Sequence, residues 1–237
     1  MQPIPPNYMA YDRTIVVFSP DGRLLQVEYA RQAVKRGGTV VGIVTDRGVV
    51  LGSVKSHIPL AVSNTSKKIF EIDNHIGLVG SGILADARDL VELARVKAQI
   101  NRITYNEPIS VNSLTKYLAN HKHMATQYAG LRPFGVGLLI GGVDKTGPNL
   151  YETDPSGTMI EWKAQSIGRG AEKAKKVLKA GFKDNMSEKD GFKLLLKAMK
   201  AGEKNIEKEN IDAAVITGKE FKKISGQEIS RVVRESK

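Results

Sequence analysis

Valine-rich segments separated by short turns dominate the pattern of apolar positions from residue 39 to residue 80. Thr39 to Thr45 pairs with Val49 to Lys55, and Lys68 to Ile72 pairs with Ile76 to Gly80. Pairs of this kind, joined by polar or glycine-bearing turns, are typical of β-hairpins. The pattern predicts four strands that form one antiparallel sheet.

Helical spacing replaces this pattern in two long stretches, Ala85 to Ile100 and Val111 to Tyr128. Their apolar residues recur at intervals of three and four, so they fall largely on one side of each helix, with Ile100 and Met124 included in the two apolar sides. We expect two adjacent helices that cover one face of a sheet.

The rest of the chain repeats the order of strands followed by helices. The predicted strands are Gly135 to Val143, Asn149 to Asp154, Thr158 to Ala164 and Ile211 to Thr217, and the predicted helices are Ala171 to Ala180, Glu188 to Ala201 and a short one near Gln227 to Arg234. Blocks of this kind predict an α+β fold with two packed sheets, each covered by helices. We find no linker, so we expect a single domain over residues 1–237.

The segment before residue 38 predicts a turn and a capped amphipathic helix. Ser19 to Gly22 has turn composition, and we expect Gly37 and Gly38 to end the helix in a left-handed turn. Tyr29 has the position of a buried residue. The apolar residues at helical spacing are Leu24, Val27, Ala30 and Val34. The prolines that disfavour regular structure at the tip are Pro3, Pro5 and Pro6.

Composition narrows the class of protein. The 237 residues are 41% hydrophobic and 26% charged, as in a globular domain, and no stretch approaches the roughly 18 apolar residues of a membrane span. The N-terminus lacks the pattern of a secretory signal, so we expect a cytoplasmic protein. The absence of cysteine excludes disulfides and thiolate catalysis.

The formal net charge of +11 raises the alternative of a basic nucleic-acid-binding scaffold. The lysines between residues 171 and 210 are interleaved with acidic residues, which favours a solvated helix surface or contact with an acidic protein partner. His121 and His123 are two residues apart, so they do not have the spacing of a helical zinc pair. The glycines near residues 141 and 168 lack a phosphate-loop pattern. We therefore predict no metal and no cofactor.

One stretch carries a more specific signal. Tyr11 to Arg13, Phe18 to Arg23 and Gln26 to Ala30 precede a helix end and a Gly38-Thr39 strand start. This order resembles the archaeal-type α subunit of the 20S proteasome, and the resemblance continues over nearly the whole chain. It implies the four-layer αββα sandwich of N-terminal-nucleophile hydrolases. Residues 1–37 would then be a gate segment and a ring-capping helix.

The resemblance implies a noncatalytic subunit. It aligns Gly38 with the threonine nucleophile of catalytic β subunits and Val54 with their supporting carboxylate, and it retains only the lysine, as Lys68. An N-terminal nucleophile needs its own free amine as the base. The catalytic alternative is self-cleavage before Thr39, which would make the chain a self-processing threonine hydrolase.

The resemblance also assigns site residues. The gate would comprise Tyr11, Asp12, Arg13, Pro20 and Tyr29. The pocket that docks the C-terminal tails of an activator ATPase would comprise Lys68, Leu24, Gly82 and Glu28. From the residues alone, Tyr29 could equally be a core residue of the helix, and Lys68 an exposed lysine at the start of a strand.

The partners implied are six further α subunits in a seven-membered ring, proteasome β subunits, an activator ATPase ring and unfolded protein substrates, with no membrane and no nucleic acid. The chain would take part in ATP-dependent protein degradation. Arg132, in a loop expected to face the pore and the neighbouring subunit, would be free to bond outward.

Overall fold

The structure is a computed structural model, and it describes residues 16–54, 60, 67–203 and 210–224. The helix predicted near Gln227 to Arg234 lies outside these residues. The described helices are α1 (Leu25–Arg36), α2 (Leu84–Tyr105), α3 (Val111–Met124), α4 (Ala171–Gly181) and α5 (Glu188–Gly202). In the described part of the chain, no helix has the length and apolar character needed to span a membrane.

Within the described residues, ten strands alternate with these helices in blocks, as the sequence predicts. They are β1 (Val40–Val44), β2 (Gly48–Val54), β3 (Ile69–Asp73), β4 (Ile76–Gly82), β5 (Val136–Asp144), β6 (Gly147–Thr153), β7 (Met159–Glu161), β8 (Ala164–Ile167), β9 (Ile211–Thr217) and β10 (Phe221–Ile224). The short strand β10 has no counterpart in the sequence prediction.

The strands form two five-stranded antiparallel sheets, with the orders β10-β9-β2-β1-β8 and β3-β4-β5-β6-β7. The prediction that the first four strands share one sheet is therefore wrong. Each predicted hairpin is present, but β2 continues to β9, with Val50 opposite Val215, and β4 continues to β5, with Leu78 opposite Ile140. A local sequence pattern identifies two strands that are joined by a turn. It does not identify the pairing of β2 with β9 or of β4 with β5, because these strands are far apart in the sequence.

The predicted strand from Thr158 to Ala164 is also wrong, because the chain changes sheets within it. β7 pairs with β6 in the second sheet, and β8 pairs with β1 in the first. Trp162 and Lys163 make the crossing. The Trp162 amide donates to the Leu150 carbonyl (2.8 Å), and the Lys163 carbonyl accepts from the Val44 amide (2.8 Å).

Three apolar clusters separate four layers, which confirms the αββα fold. One lies between the first sheet and helices α4 and α5, one between the two sheets, and one between the second sheet and helices α2 and α3. Successive side chains of β2 point into two of these clusters in turn, since Leu51 faces the other sheet and Val50 faces the helices. Ile100 and Met124, predicted on apolar sides, are about half exposed (51% and 50%).

Helix α1 packs against β4 and β5, and its buried residues are Leu25, Val27 and Ala30. It has no side-chain cap at its N-terminus, and Gly37 at its end is extended (φ −63°) rather than left-handed. A Cβ at Gly37 would lie 2.4 Å from the Gly82 amide nitrogen. Glycine is required here for close packing and not for a left-handed turn, so both predictions for the ends of this helix are wrong.

Candidate functional site

The end of α1 meets the start of β1 at a corner that contains Gly38, Lys68 and Val54. The Nζ of Lys68 donates to the Val54 carbonyl oxygen (2.9 Å), and a Cβ at Gly38 would lie 2.6 Å from the same Nζ. The structure therefore brings together the three positions that the resemblance aligns with a nucleophile, a lysine and a carboxylate. Only the lysine carries a functional group.

Lys68 is buried (6% exposed), so it is not an exposed lysine at the start of β3. Burial lowers the pKa of its ammonium below the ordinary value, and the nearby Arg169 guanidinium lowers it further, whereas Glu203 and Asp212 act in the opposite direction. Removing a charged amine from water is unfavourable unless an acceptor replaces the lost water. The Val54 carbonyl is one such acceptor.

Thr39 is fully buried and its polar groups are engaged. Its Oγ1 donates to Glu203 Oε1 (2.8 Å) and accepts from the Gly170 amide (2.9 Å), while its own amide nitrogen donates to Glu203 Oε1 (3.2 Å). That nitrogen is part of the peptide bond to Gly38, so it cannot serve as the base of an N-terminal nucleophile. This geometry does not provide the catalytic Thr39 that the alternative requires.

Sequence reasoning missed Glu203 and Arg169, which complete this corner. Both oxygens of the Glu203 carboxylate accept from Arg169 Nε (2.7 and 2.8 Å), and the Arg169 amide donates to the Gly37 carbonyl (2.9 Å). Burial alone raises the pKa of Glu203, but the hydrogen bonds from Arg169 and Thr39 outweigh it and hold the pKa below its ordinary value. Nothing in the local sequence indicated contacts this distant along the chain.

Two further groups attach α1 to the body of the subunit. Arg31 Nε and Nη2 donate to one oxygen of Asp154 (2.9 and 2.7 Å), in the turn after β6. The Ser81 hydroxyl lies 3.2 Å from the Val34 carbonyl and 3.0 Å from the Gly38 carbonyl, at the other side of the helix end. Charge-assisted and neutral hydrogen bonds thus reinforce the apolar contact of α1.

The predicted gate residues are only partly described. Tyr11, Asp12 and Arg13 lie outside the described residues. Pro20 is exposed in the turn before α1, and Tyr29 is 49% exposed, so the prediction of a buried tyrosine is wrong.

Gly82, with a positive φ of 122°, shares one cavity of about 570 Å³ with Tyr29. We call it the Gly82 cavity. The other residues that line it are Gln32, Ala33, Arg36, Gly37 and Ile83. Lys68, Leu24 and Glu28 are not among its lining residues, so the structure of the single chain does not unite the four residues predicted for the docking pocket.

Leu24 and Glu28 lie at the start of α1. Leu24 is partly buried, and the Glu28 carboxylate accepts two hydrogen bonds from Arg23, one of them from Nε at 2.8 Å. Hydrogen bonding to Arg23 holds the pKa of Glu28 below its ordinary value. In the single chain, Glu28 thus fixes the junction between the turn and the helix.

Arg132 bonds inward, contrary to prediction. Its two terminal nitrogens donate to the two oxygens of Asp86 (2.6 Å each), and the Gly135 amide donates to Asp86 as well (2.8 Å). Asp86 is buried at the start of α2. Arg132 therefore anchors the loop between α3 and β5 onto α2.

The histidines do not form a metal site in the described part of the chain, where no group of three or more potential ligands meets. His121 packs against the Phe134 ring at 5.6 Å between centroids, and Nδ1 of His123 lies 3.2 Å from the Ser156 carbonyl oxygen. Between them, Lys122 is fully buried and donates to the carbonyl and hydroxyl oxygens of Thr153 (3.0 Å each).

Comparisons with known proteins agree with this geometry. Residues 34–216 match the proteasome subunit family, and residues 11–33 match the N-terminal signature of the A-type proteasome subunits. Relatives named as proteasome alpha subunits are similar over most of the chain. The one from Methanocaldococcus jannaschii is 46% identical, over 98% of this chain and 90% of the relative. Those from Pyrococcus horikoshii and Methanothermobacter thermautotrophicus are 47% identical, over 98% and 99% of this chain and 90% and 96% of the relatives, respectively.

The N-terminal signature distinguishes the two kinds of subunit, because it covers the segment that a self-processing subunit would remove. In this structure the segment from residue 16 leads into a helix that Asp154, Ser81 and Arg169 bond to the rest of the fold. The chain therefore belongs to the proteasome subunit family, as a noncatalytic subunit of the alpha type.

Proposed function

We propose that seven copies of this chain form each outer ring of a 20S proteasome core, where α1 caps the ring and the residues before it gate the entry of unfolded protein. The attachment of α1 over the Gly38 corner carries this proposal. A catalytic subunit needs a free N-terminus at that corner, whereas here Gly37, Gly38 and Thr39 are all held by hydrogen bonds. The segment before them is consequently available for a permanent role.

The Lys68 corner supports a second part of the proposal, the docking of an activator tail. A terminal carboxylate that reached Lys68 would form a charge-assisted bond, which is stronger than the bond to the neutral Val54 carbonyl. Lys68, Leu24, Gly82 and Glu28 would belong to one pocket only when neighbouring subunits complete it. Activator docking therefore depends on the ring.

An exposed apolar stripe on α2 supports a β-subunit partner. Val96, Ile100 and Ile103 follow one another at intervals of four and three, so they lie on one side of the helix, and they are 54%, 51% and 85% exposed. A contiguous apolar strip of this kind is typical of a surface that becomes buried in an assembly. We assign it to the contact with the β ring.

The remaining parts of the proposal rest on the family resemblance. They are a single domain over residues 1–237, a cytoplasmic location, and participation in ATP-dependent protein degradation together with an activator ATPase.

Deleting residues 1 to 12 tests the gate. The core assembled with β subunits should hydrolyse fluorogenic peptides faster than the full-length core, because the residues that obstruct the pore are removed. Native mass spectrometry of the same preparation serves as the control for ring assembly. An assembled core with unchanged or lower peptidase activity would contradict the gate.

The substitution Lys68→Ala tests the docking pocket, with Lys67→Ala as the matched control one residue away. Activator-stimulated hydrolysis should fall with Lys68→Ala and stay unchanged with Lys67→Ala, while basal hydrolysis and ring assembly stay the same in both. Lys68→Met, which keeps most of the buried volume, distinguishes loss of charge from loss of packing. Full stimulation of the Lys68→Met core would remove this lysine from the pocket.

A further inference from the structure

A second cavity, of about 640 Å³, lies between α1 and α4, and we call it the α1–α4 cleft. Five cationic side chains line it. Arg31 and Lys35 come from α1, Arg169 comes from the connection between β8 and α4, and Lys175 and Lys176 come from α4 itself. A concave surface with cations on both sides is suited to an anionic ligand.

The α1–α4 cleft is separate from the Gly82 cavity. At about 100° per residue, Arg31 and Lys35 lie on the opposite side of α1 from Tyr29 and Arg36, which line the Gly82 cavity. Lys68 does not line the cleft either. A ligand in the cleft would therefore occupy a surface different from the one proposed for activator tails.

Pairing within the α1–α4 cleft leaves three lysines available. Arg31 is held by Asp154 and Arg169 is held by Glu203. Lys35, Lys175 and Lys176 are exposed, and within the described residues they form no ion pair. Among the described residues, no carboxylate lies within ion-pair distance of these three ammonium groups.

The local charge on α4 differs from the balance of the surrounding sequence. The helix has four lysines and one acidic residue, Glu172. The acidic residues that follow it along the chain act elsewhere, since Asp184 pairs with Lys163 and Asp190 accepts from Ser187 at the start of α5. Asp184 and Asp190 alternate with lysines in the sequence, but in the folded chain they do not pair with the lysines of the cleft.

The lining of the α1–α4 cleft favours a peptide over a nucleic acid. Glu152, Asp154 and Glu172 also line it, and they would repel the closely spaced phosphates of a nucleic acid. Val34, which is partly buried, provides apolar surface between the charges. A peptide can place carboxylates beside the lysines and apolar side chains on this surface, whereas a phosphate backbone cannot adapt in this way.

We propose that the α1–α4 cleft docks an acidic segment of a protein partner, with glutamate or aspartate side chains on Lys35, Lys175 and Lys176 and an apolar side chain against Val34. The two arginines of the cleft already bind carboxylates of this chain, which is the same chemistry. This docking surface goes beyond the proposed function, because it involves neither Lys68 nor the gate.

Fluorescence anisotropy of a short labelled peptide of repeated Glu-Glu-Leu units tests the proposal, with the purified full-length chain in the absence of β subunits and activator. The triple variant Lys35→Glu, Lys175→Glu and Lys176→Glu should bind this peptide at least about tenfold more weakly than the unmodified chain, since each lost ion pair contributes modestly. If charge reversal prevents folding, the triple variant Lys35→Gln, Lys175→Gln and Lys176→Gln is measured in its place.

The matched control reverses three exposed lysines that do not line the cleft, with Lys116→Glu, Lys197→Glu and Lys200→Glu. Both triple variants have the same net charge. Weaker binding by the cleft variant alone supports the proposal, whereas equal weakening in both would show general electrostatic attraction and overturn it.

Two other results would also overturn it. They are the absence of peptide binding by the unmodified chain, and tighter binding of a single-stranded RNA that the cleft variant abolishes. The assay contains neither activator nor β subunits, so failure of the proposed gate or Lys68 pocket would leave its result unchanged.

Discussion

The two outer helical layers present different surfaces. In the layer of α2 and α3, helix α2 exposes the apolar stripe of Val96, Ile100 and Ile103, whereas α4 and α5 expose no large apolar side chain within the described residues. Helices α4 and α5 instead have eight lysines and three acidic residues. Each layer covers a sheet with its inner side, so the difference arises from what the outer sides contact. Under the proposed function, the layer with the apolar stripe would be buried against the β ring, and the lysine-rich layer would face water or charged partners.

Introducing a charge into the apolar stripe is the most severe test of this contrast. Ile100→Asp should abolish association with the β ring. An unpaired carboxylate that is buried in an apolar interface carries a free-energy penalty several times larger than the same carboxylate on a solvent-exposed surface. Analytical ultracentrifugation of the chain mixed with β subunits measures the association. We expect a loss of more than about tenfold in affinity.

The matched control is Lys200→Asp on α5, which also introduces an exposed aspartate on an outer helix. It should leave the association with the β ring unchanged. If both substitutions weaken the association equally, or if neither does, the two layers are not distinguished by what they contact.

The layer of α2 and α3 also contains a fully buried amine. Lys122 of α3 is fully buried, and burial lowers its pKa to about 7, although Asp154 and Glu152 act in the opposite direction. A neutral amine has two N–H donors, and Thr153 provides two acceptors at 3.0 Å. The geometry thus satisfies the deprotonated form.

Stability should consequently rise with pH between about 7 and 10. The unfolded chain keeps the proton of Lys122 up to the ordinary lysine pKa, whereas the folded chain releases it near 7, so the unfolded state binds more protons within this range. The full effect is up to about 4 kcal/mol in the free energy of unfolding. Urea unfolding at pH 7 and pH 9.5 measures it.

Lys122→Met should remove most of that pH dependence, and Lys116→Met, on the exposed side of the same helix, should keep it. A variant at position 122 with the original slope would show that another group titrates. The comparison of slopes is informative even if the substitution changes the absolute stability, since Thr153 loses a donor.

From the sequence, the helices of the two outer layers could be predicted better than the contacts that their side chains make. Helical spacing gave α4 and α5 within a residue of their observed ends, because the apolar period is a local property. Ile100 satisfies the same period but faces outward, since α2 has apolar residues on more than one side. A period alone does not distinguish a core residue from one at an interface.

Prediction of the site had a similar limit. The resemblance selected Gly38, Val54 and Lys68, and the structure brings them together. Glu203 escaped notice because it contacts Thr39 from 164 residues away, and its only local feature is a position after a helix. The predicted arrangement of strands in the sheets was wrong for the same reason, since β2 and β9 pair although they are far apart in the sequence. Contacts between distant segments are determined by packing that no short window contains.

The smallest expected effect concerns the layer of α4 and α5, where the Glu203 carboxylate directly follows α5. Glu203→Gln keeps the size of the side chain but removes the charge that accepts from Thr39 and Arg169. We expect a loss of about 1–2 kcal/mol in the free energy of unfolding near pH 7. Glu172→Gln, at an exposed position on α4, should have little effect.

The pH range of the stability change distinguishes Glu203 from Lys122. Because the folded pKa of Glu203 is lowered, its stabilisation is present above the ordinary glutamate pKa and is lost as the pH falls through the folded pKa. The difference between the unmodified chain and Glu203→Gln should therefore shrink in acid and persist at pH 9, where Lys122 is neutral. A difference that is constant from pH 3 to pH 9 would show that Glu203 acts through its shape alone and that its charge does not contribute to stability.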